Sequence, residues 1–91
     1  MMQSRKNKIF RPVNQQTVIE DAVLRAIIAK KLKLLRKLEH LSQTELAGLV
    51  GCQQAGIARI EKGRVLPSLY TLIRIAKAFN RQLEVKFVEN P

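Results

Sequence analysis

The first feature of the sequence is a long stretch in which apolar residues recur at helical spacing. Thr17 precedes it, and Glu20 follows three residues later, which is the spacing of a capping box at a helix N-terminus. One apolar stripe comprises Val23, Ile27, Leu34, Leu38 and Leu41, broadened by Ile19, Ala22, Ala26 and Ile28. No glycine or proline interrupts the stretch, so we predict a helix over residues 18–39.

Two short helices are predicted after it. Ser42 and Glu45 form a second capping box, and Gly51 is a typical helix stop, so the first of the two covers residues 43–50. The second covers residues 54–62 and ends at Gly63.

A fourth helix is predicted to begin after Ser68, which caps it, and to end before Asn80, which tolerates a left-handed backbone. Its buried side is predicted to consist of Leu69, Leu72, Ile73, Ile75, Ala76 and Phe79. Residues 1–16 are polar and basic and are interpreted as a flexible arm. The domain therefore spans residues 17–80, followed by a tail over residues 81–91.

The tail changes period. Leu83, Val85 and Phe87 alternate with Glu84 and Lys86, which is typical of a β-strand. A lone strand cannot satisfy its own backbone, and only a weak second candidate exists, at residues 8–10. We therefore predict pairing with the same strand of a second copy, which closes a two-fold dimer. The alternative is a coil packed by its apolar side chains.

Composition narrows the classes of function. The chain has 91 residues and a formal net charge of +10, which fits one small domain and favours a polyanionic partner such as nucleic acid over a membrane surface. The alternative is that the positive charge only keeps the protein soluble. One cysteine rules out an intrachain disulfide and a multi-cysteine zinc site, and with a single histidine no metal site is expected. No cofactor is expected either. No apolar run is long enough to span a membrane, and no secretory signal is visible, so a cytoplasmic setting is expected.

The two short helices and the turn between them meet the physical demands of a helix-turn-helix. Ala47 is small where the helices approach closely, and Gly51 supplies the positive backbone angle of the turn. Five positions are expected to face the core, namely Leu46, Val50, Cys52, Ile57 and Ile60. For Cys52, burial is favoured over redox sensing, which needs an exposed thiol of lowered pKa.

These residues resemble a known family. Residues 41–47 (LSQTELA), 57–63 (IARIEKG) and 67–72 (PSLYTL) are similar to the lambda-repressor-like domain of the Xre and Cro/CI type. The resemblance implies an all-α fold, sequence-specific DNA binding and transcriptional repression. The long first helix and the strand-like tail are similar in layout to the HigA and HipB antitoxins. That layout implies repression of the protein's own operon and neutralisation of a RelE/HigB-like ribonuclease toxin.

In a helix-turn-helix the second helix enters the major groove and offers its N-terminal residues to base edges. The positions exposed by helical spacing are Gln53, Gln54, Ala55, Gly56 and Arg59. Gln54 is the first choice, since a glutamine amide pairs bidentately with adenine. Arg59 is expected to contact a guanine edge or a phosphate. Ala55 is expected to contact a thymine methyl group. Gly56 is interpreted as a site of close backbone approach. Helix capping is the alternative for Gln53.

Phosphate contacts are predicted around this helix. Gln43 lies at a helix N-terminus, which favours an anion, and the resemblance gives it the same role. Lys62 and Arg64 follow the recognition helix, and Arg36 lies on the first helix. Two copies would require a near-palindromic operator, with half-sites about one DNA turn, ~34 Å, apart. The basic run at residues 30–37 faces DNA, a toxin or only solvent.

The first helix carries apolar surface beyond the obvious needs of the domain. Ile19, Val23 and Ile27 are predicted to contact a partner or a second copy, the alternative being an extension of the core. Two other functions stay open, a stand-alone Xre-type regulator without a toxin and an interaction module that retains the helix-turn-helix as a scaffold. No catalytic arrangement is recognisable, so no enzymatic activity is expected.

Overall fold

The described part of the chain folds into four helices and contains no strand. The structure is a computed structural model that describes the backbone of residues 15–89 and the side chains from residue 20 onward. The helices are α1 (Gln15–Leu38), α2 (Gln43–Val50), α3 (Gln54–Glu61) and α4 (Leu69–Ala78). The arm predicted for residues 1–16 falls almost entirely outside the described residues.

Local signals set the ends of α2 and α4. The Ser42 hydroxyl accepts from the Glu45 N–H at 3.0 Å, and the Glu45 carboxylate accepts from the Ser42 N–H at 2.8 Å, which confirms the predicted capping box. Gly51 ends α2 in the left-handed region at φ 82°. Ser68 caps α4 by accepting from the Thr71 N–H, and Asn80 follows α4 at φ 57°.

The core lies where α2 and α3 meet, with α1 packed on α3 and α4 packed on α2. Leu46 and Ile57 are completely buried there. All four helices contribute other buried members, namely Leu32, Ala47, Val50, Ile60 and Ile75, and Phe79 adds another directly after α4. Burial of these side chains fixes the angle between α2 and α3, and so fixes which face of α3 is left to solvent.

Cys52 is exposed, and its predicted burial is wrong. Its backbone N–H donates to the Ala47 carbonyl at 3.0 Å, directly after the left-handed Gly51. That bond closes the end of α2 and leaves the thiol on the surface. The remaining four positions predicted to face the core are buried, namely Leu46, Val50, Ile57 and Ile60.

Helix α1 turns a different face to the core from the one predicted. The buried or half-buried apolar residues of α1 are Ile28, Ala29, Leu32 and Leu35. The predicted stripe lies mostly on the solvent side, with Val23, Ile27, Leu34 and Leu38 exposed and only Leu41 packed on the core. The helix has two apolar faces of similar spacing, and periodicity alone does not decide which one is covered.

Helix α4 also differs from the prediction. Leu69 and Ile73 are predicted to be buried, but both are exposed.

The predicted C-terminal strand is not observed in the described chain. Residues 81–89 have no regular secondary structure. A strand needs a neighbouring strand to satisfy its N–H and C=O groups, and residues 15–89 supply none. Leu83 is half-buried beside an apolar groove between α1 and α4, whereas Val85 and Phe87 are exposed.

Candidate nucleic-acid interface

Helix α3 packs on the core with one face and exposes the opposite face to solvent. Ile57 and Ile60 bury its inner face. The first turn is exposed on the opposite side, at Gln54 and Ala55, and Arg59 is exposed one turn further on. Since a helix of this diameter fits the major groove, the outer face of α3 is a suitable surface for base edges.

Gln43 and Gln54 are joined side chain to side chain. Each is the first residue of its helix, Gln43 of α2 and Gln54 of α3. The Gln54 amide Nε2 donates to Gln43 Oε1 at 2.7 Å. The two predicted contact residues therefore lie next to each other at one edge of the helix-turn-helix.

The hydrogen bonding continues inward from Gln43. Gln43 Nε2 donates to Glu61 Oε1 at 3.1 Å. Arg36 then donates to both oxygens of Glu61, from Nε to Oε2 at 2.6 Å and from Nη2 to Oε1 at 2.9 Å. We call Arg36, Glu61, Gln43 and Gln54 the polar chain, because it links α1 to the exposed tip of α3 without a gap.

Each of the three guanidinium nitrogens of Arg36 donates a hydrogen bond within the domain. Its third nitrogen, Nη1, donates to the Leu41 carbonyl at 2.8 Å, and its side chain is only 11% exposed. Arg36 and Glu61 thus form an ion pair between α1 and α3. Arg36 therefore holds Glu61 in place, and its contact with a phosphate stays a prediction.

Two opposing influences act on the Glu61 carboxylate. Burial is the largest single one and raises its pKa. The hydrogen bonds from Arg36 and Gln43, with the charges of Arg36 and Lys33, outweigh burial, so the pKa of Glu61 lies below its ordinary value. The hydrogen bond to Glu61 raises the pKa of Arg36, against the effect of burial. Both groups are therefore charged at neutral pH.

The other predicted contact residues lie around the outer face of α3. Gln53 occupies the N-cap position of α3 and makes no capping hydrogen bond through its side chain, which does not support the capping alternative. A Cβ atom added at Gly56 would have no other protein atom within 4 Å apart from its chain neighbours and the backbone of α3, so this position is open to solvent or to DNA. Lys62 and Arg64 are exposed beyond the end of the helix. Their contacts with DNA stay predictions.

Two arginines near the motif were missed by the sequence reasoning. Arg25 on α1 pairs with Asp21 and donates through Nε to the Gly63 carbonyl at 3.2 Å, which ties α1 to the turn after α3. Arg74 donates to the Gly51 carbonyl at 3.4 Å and lies over the Tyr70 ring. The four-residue spacing of Asp21 and Arg25 was a visible signal for their pair, but the contacts across helices had none.

The predicted partner surface on α1 is solvent-exposed, with Val23 at 52% and Ile27 at 43%. This excludes the alternative in which these two residues extend the core. Ile19 lies outside the residues whose side chains are described. Among the described residues, no helix is both long and apolar enough to cross a bilayer, and no cluster of side chains has the composition of a metal site.

Comparison with known proteins also identifies a helix-turn-helix in this chain. Residues 32–86 match the model of the family HTH_3, described as helix-turn-helix. The chain belongs to this family of DNA-binding transcription regulators, which confirms the predicted motif and the Xre-like resemblance. Residues 15–31 of α1 lie outside the matched range.

Three similar proteins are informative. The ImmF control region 10 kDa protein of Bacillus phage phi105 is 46% identical over 59% of this chain, which spans 60% of the phage protein. An HTH-type transcriptional regulator of Haemophilus influenzae is 32% identical over 87% of this chain and 81% of its own length. A chain from a toxin–antitoxin module of Streptococcus pneumoniae superimposes with a TM-score of 0.63 at 25% identity, covering 98% of this chain and 93% of its own.

Proposed function

We propose that this protein is a sequence-specific repressor that reads DNA with the N-terminal turn of α3. The observation that carries the proposal is the amide of Gln54, exposed at the tip of α3 and held from behind by Gln43 at 2.7 Å. A side chain held in one orientation loses little entropy when it binds a base, so it discriminates better than a free one. Binding of this kind over a promoter would block transcription.

The neighbours of Gln54 have complementary tasks. Gln54 pairs with an adenine, and Ala55 lies beside it where a thymine methyl group would be contacted. Arg59, one turn along, takes a guanine edge or a phosphate. Gln43, Lys62 and Arg64 flank these residues and position the protein on the phosphate backbone without reading sequence.

Selection from randomised DNA duplexes tests the proposal directly. The wild-type protein should enrich one site, and Gln54→Ala should weaken binding to it by about 1–3 kcal/mol in fluorescence anisotropy. Gln82→Ala is the matched control, because Gln82 is an exposed glutamine in the C-terminal segment. It should cost less than about 0.5 kcal/mol. Equal affinities for both variants and the wild type would favour the scaffold alternative.

A homodimer on a near-palindromic operator is part of the proposal. The segment 81–89 exposes Val85, Phe87 and Val88, with Phe87 fully accessible. An aromatic side chain left in water gains about 1.5–3 kcal/mol when it is covered, so contact between two copies at this segment is favourable. Phe87→Ser should lower the dimer fraction in analytical ultracentrifugation. Leu49→Ser, at an equally apolar exposed position on α2, should not.

A more specific role as an antitoxin is supported by α1. Val23, Leu24 and Ile27 form an exposed apolar patch outside the part of the chain that matches the family. The similarity to a chain of a toxin–antitoxin module covers this region as well. We propose that the patch binds a RelE/HigB-like ribonuclease and that the operon repressed is the protein's own.

Co-expression with the product of the adjacent reading frame tests the antitoxin role. A toxin should stop growth alone, and this chain should restore growth and co-purify. Val23→Asp with Ile27→Asp should abolish rescue and leave DNA binding intact, whereas Leu69→Asp, an exposed position on α4, should leave both intact. A harmless or non-binding neighbour would leave the stand-alone regulator as the function.

A further inference from the structure

We propose that Glu61, which is buried behind the reading surface, determines which base Gln54 accepts. The inference rests on the proposed function, because it assumes that Gln54 reads a base. Glu61 has a side chain only 3% exposed and lies between Arg36 and Gln43 in the polar chain. It acts as a positioning residue through Gln43 and touches no DNA itself.

The first step is that Glu61 fixes the amide of Gln43. A carboxylate only accepts hydrogen bonds, and the guanidinium of Arg36 only donates them. The group of Gln43 that faces Glu61 Oε1, at 3.1 Å, must therefore be the amide nitrogen. This choice turns the amide oxygen of Gln43 toward Gln54.

The second step is that Gln43 fixes the amide of Gln54. The Gln43 oxygen accepts only, so Gln54 must meet it with Nε2, as it does at 2.7 Å. One N–H of Gln54 is then engaged. What remains for DNA is the second N–H together with the oxygen Oε1, that is, one donor beside one acceptor.

The third step is the match to a base. In the major groove adenine presents the acceptor N7 beside the N6 donor, which complements the donor and acceptor of Gln54. Guanine presents two acceptors, N7 and O6, and its O6 would face the Gln54 oxygen. The polar chain therefore favours adenine and disfavours guanine.

Replacing the Glu61 carboxylate with an amide releases this constraint. The side chain in Glu61→Gln carries both a donor and an acceptor, so Gln43 is free to turn its oxygen inward and its nitrogen toward Gln54. The Gln54 oxygen then accepts from Gln43, and both of its N–H groups face the DNA. Two donors suit the two acceptors of guanine, so the preference for adenine should fall.

The experiment compares base preference at one position. Selection from randomised duplexes with the wild type and with Gln54→Ala identifies the base pair that Gln54 reads. Affinities for adenine and guanine at that position are then measured for the wild type, Glu61→Gln and Glu45→Gln. Glu45 is a capping-box carboxylate whose replacement makes the same change in charge away from the polar chain.

The wild type should prefer adenine by about 5- to 150-fold, the range of a bidentate base contact. Glu61→Gln should reduce the preference to less than about threefold, whereas Glu45→Gln should keep the wild-type ratio. A loss of charge alone would strengthen binding to both duplexes and leave the ratio unchanged. The base ratio therefore separates positioning from electrostatics.

A second variant keeps the test valid if Glu61→Gln unfolds. Arg36→Met combined with Glu61→Leu replaces the ion pair by apolar side chains of similar size and also removes the carboxylate from Gln43. It should lose the adenine preference in the same way. An adenine preference retained by folded Glu61→Gln or by the double variant, or a wild-type preference for guanine, would overturn this inference alone. Failure of the wild type to enrich any site would overturn the proposed function as well.

Discussion

Arg36 and Glu61 lie 25 residues apart and meet through two hydrogen bonds of 2.6 and 2.9 Å, with side chains 11% and 3% exposed. This pair joins the last turn of α1 to the last residue of α3. Because the proposed base contacts lie at the N-terminal end of α3, the pair anchors the opposite end of this helix.

Removing one partner of this pair should destabilise the fold. Arg36→Met leaves a buried carboxylate with Gln43 as its remaining hydrogen-bond donor, and the free energy of unfolding should fall by about 2–4 kcal/mol. Arg36→Met with Glu61→Leu removes both charges and should lie within about 1 kcal/mol of the wild type. Urea denaturation measures both. A double variant as unstable as the single one would show that packing at these positions, and not the unpaired charge, dominates.

The same pair makes stability depend on acid. The pKa of Glu61 is lowered in the folded protein, so the stabilisation is complete above the ordinary glutamate pKa of about 4.3 and is lost as pH falls below it. The difference in unfolding free energy between the wild type and the Arg36→Met, Glu61→Leu double variant should be constant from pH 7 to about 5. Below that range the wild type should lose more stability.

The titration of Glu45 does not contribute to the difference in stability between the wild type and the double variant. Its pKa is lowered by hydrogen bonds from the Ser42 backbone and side chain, and it is present in both proteins, so its contribution cancels. A difference curve that stays flat down to pH 3 would contradict the assignment of a lowered pKa to Glu61.

Local signals made the helix-turn-helix predictable, because a cap or a turn depends on neighbours in sequence. Ser42, Gly51 and Ser68 each act as predicted. Gln43 and Gln54 could be selected one by one from helical position. Their contact could not, because it depends on how α2 crosses α3. The link from Gln43 to Glu61 depends on the same crossing.

The predictions from sequence are wrong or unsupported where two structural arrangements fit the same pattern of apolar residues. Val23 and Ile27 have the spacing of a buried stripe, yet Ile28 and Leu32 are the residues that face the core. Alternation in the tail predicts a strand only if a second strand exists, and the described chain contains none. Burial is a property of the assembled helices, so periodicity limits the choices without making them.

Gly56 offers a test of close backbone approach to DNA. An added Cβ meets no atom within 4 Å, so Gly56→Ala should stabilise the protein by up to about 1 kcal/mol through helix propensity. If the backbone of α3 approaches the groove closely, the same methyl group should weaken DNA binding. Thermal unfolding and anisotropy on the selected duplex measure the two effects separately.

Gly48→Ala is the matched control for Gly56→Ala. Gly48 is in the middle of α2, and a Cβ there also meets nothing within 4 Å. The variant should gain similar stability and keep wild-type affinity for DNA. Tight DNA binding by both alanine variants would show that Gly56 is not a point of close approach.

The phosphate contacts are expected to appear in the salt dependence of binding. Six neutralised phosphates give a slope of log K against log salt of about −5. Arg64→Ala should reduce the size of that slope by about 0.9 for each bound copy and weaken all duplexes alike, since a phosphate contact carries no sequence information. Lys77→Ala removes an exposed charge in the last turn of α4 and should leave the slope unchanged. Equal slopes for Arg64→Ala and the wild type would exclude Arg64 as a phosphate contact.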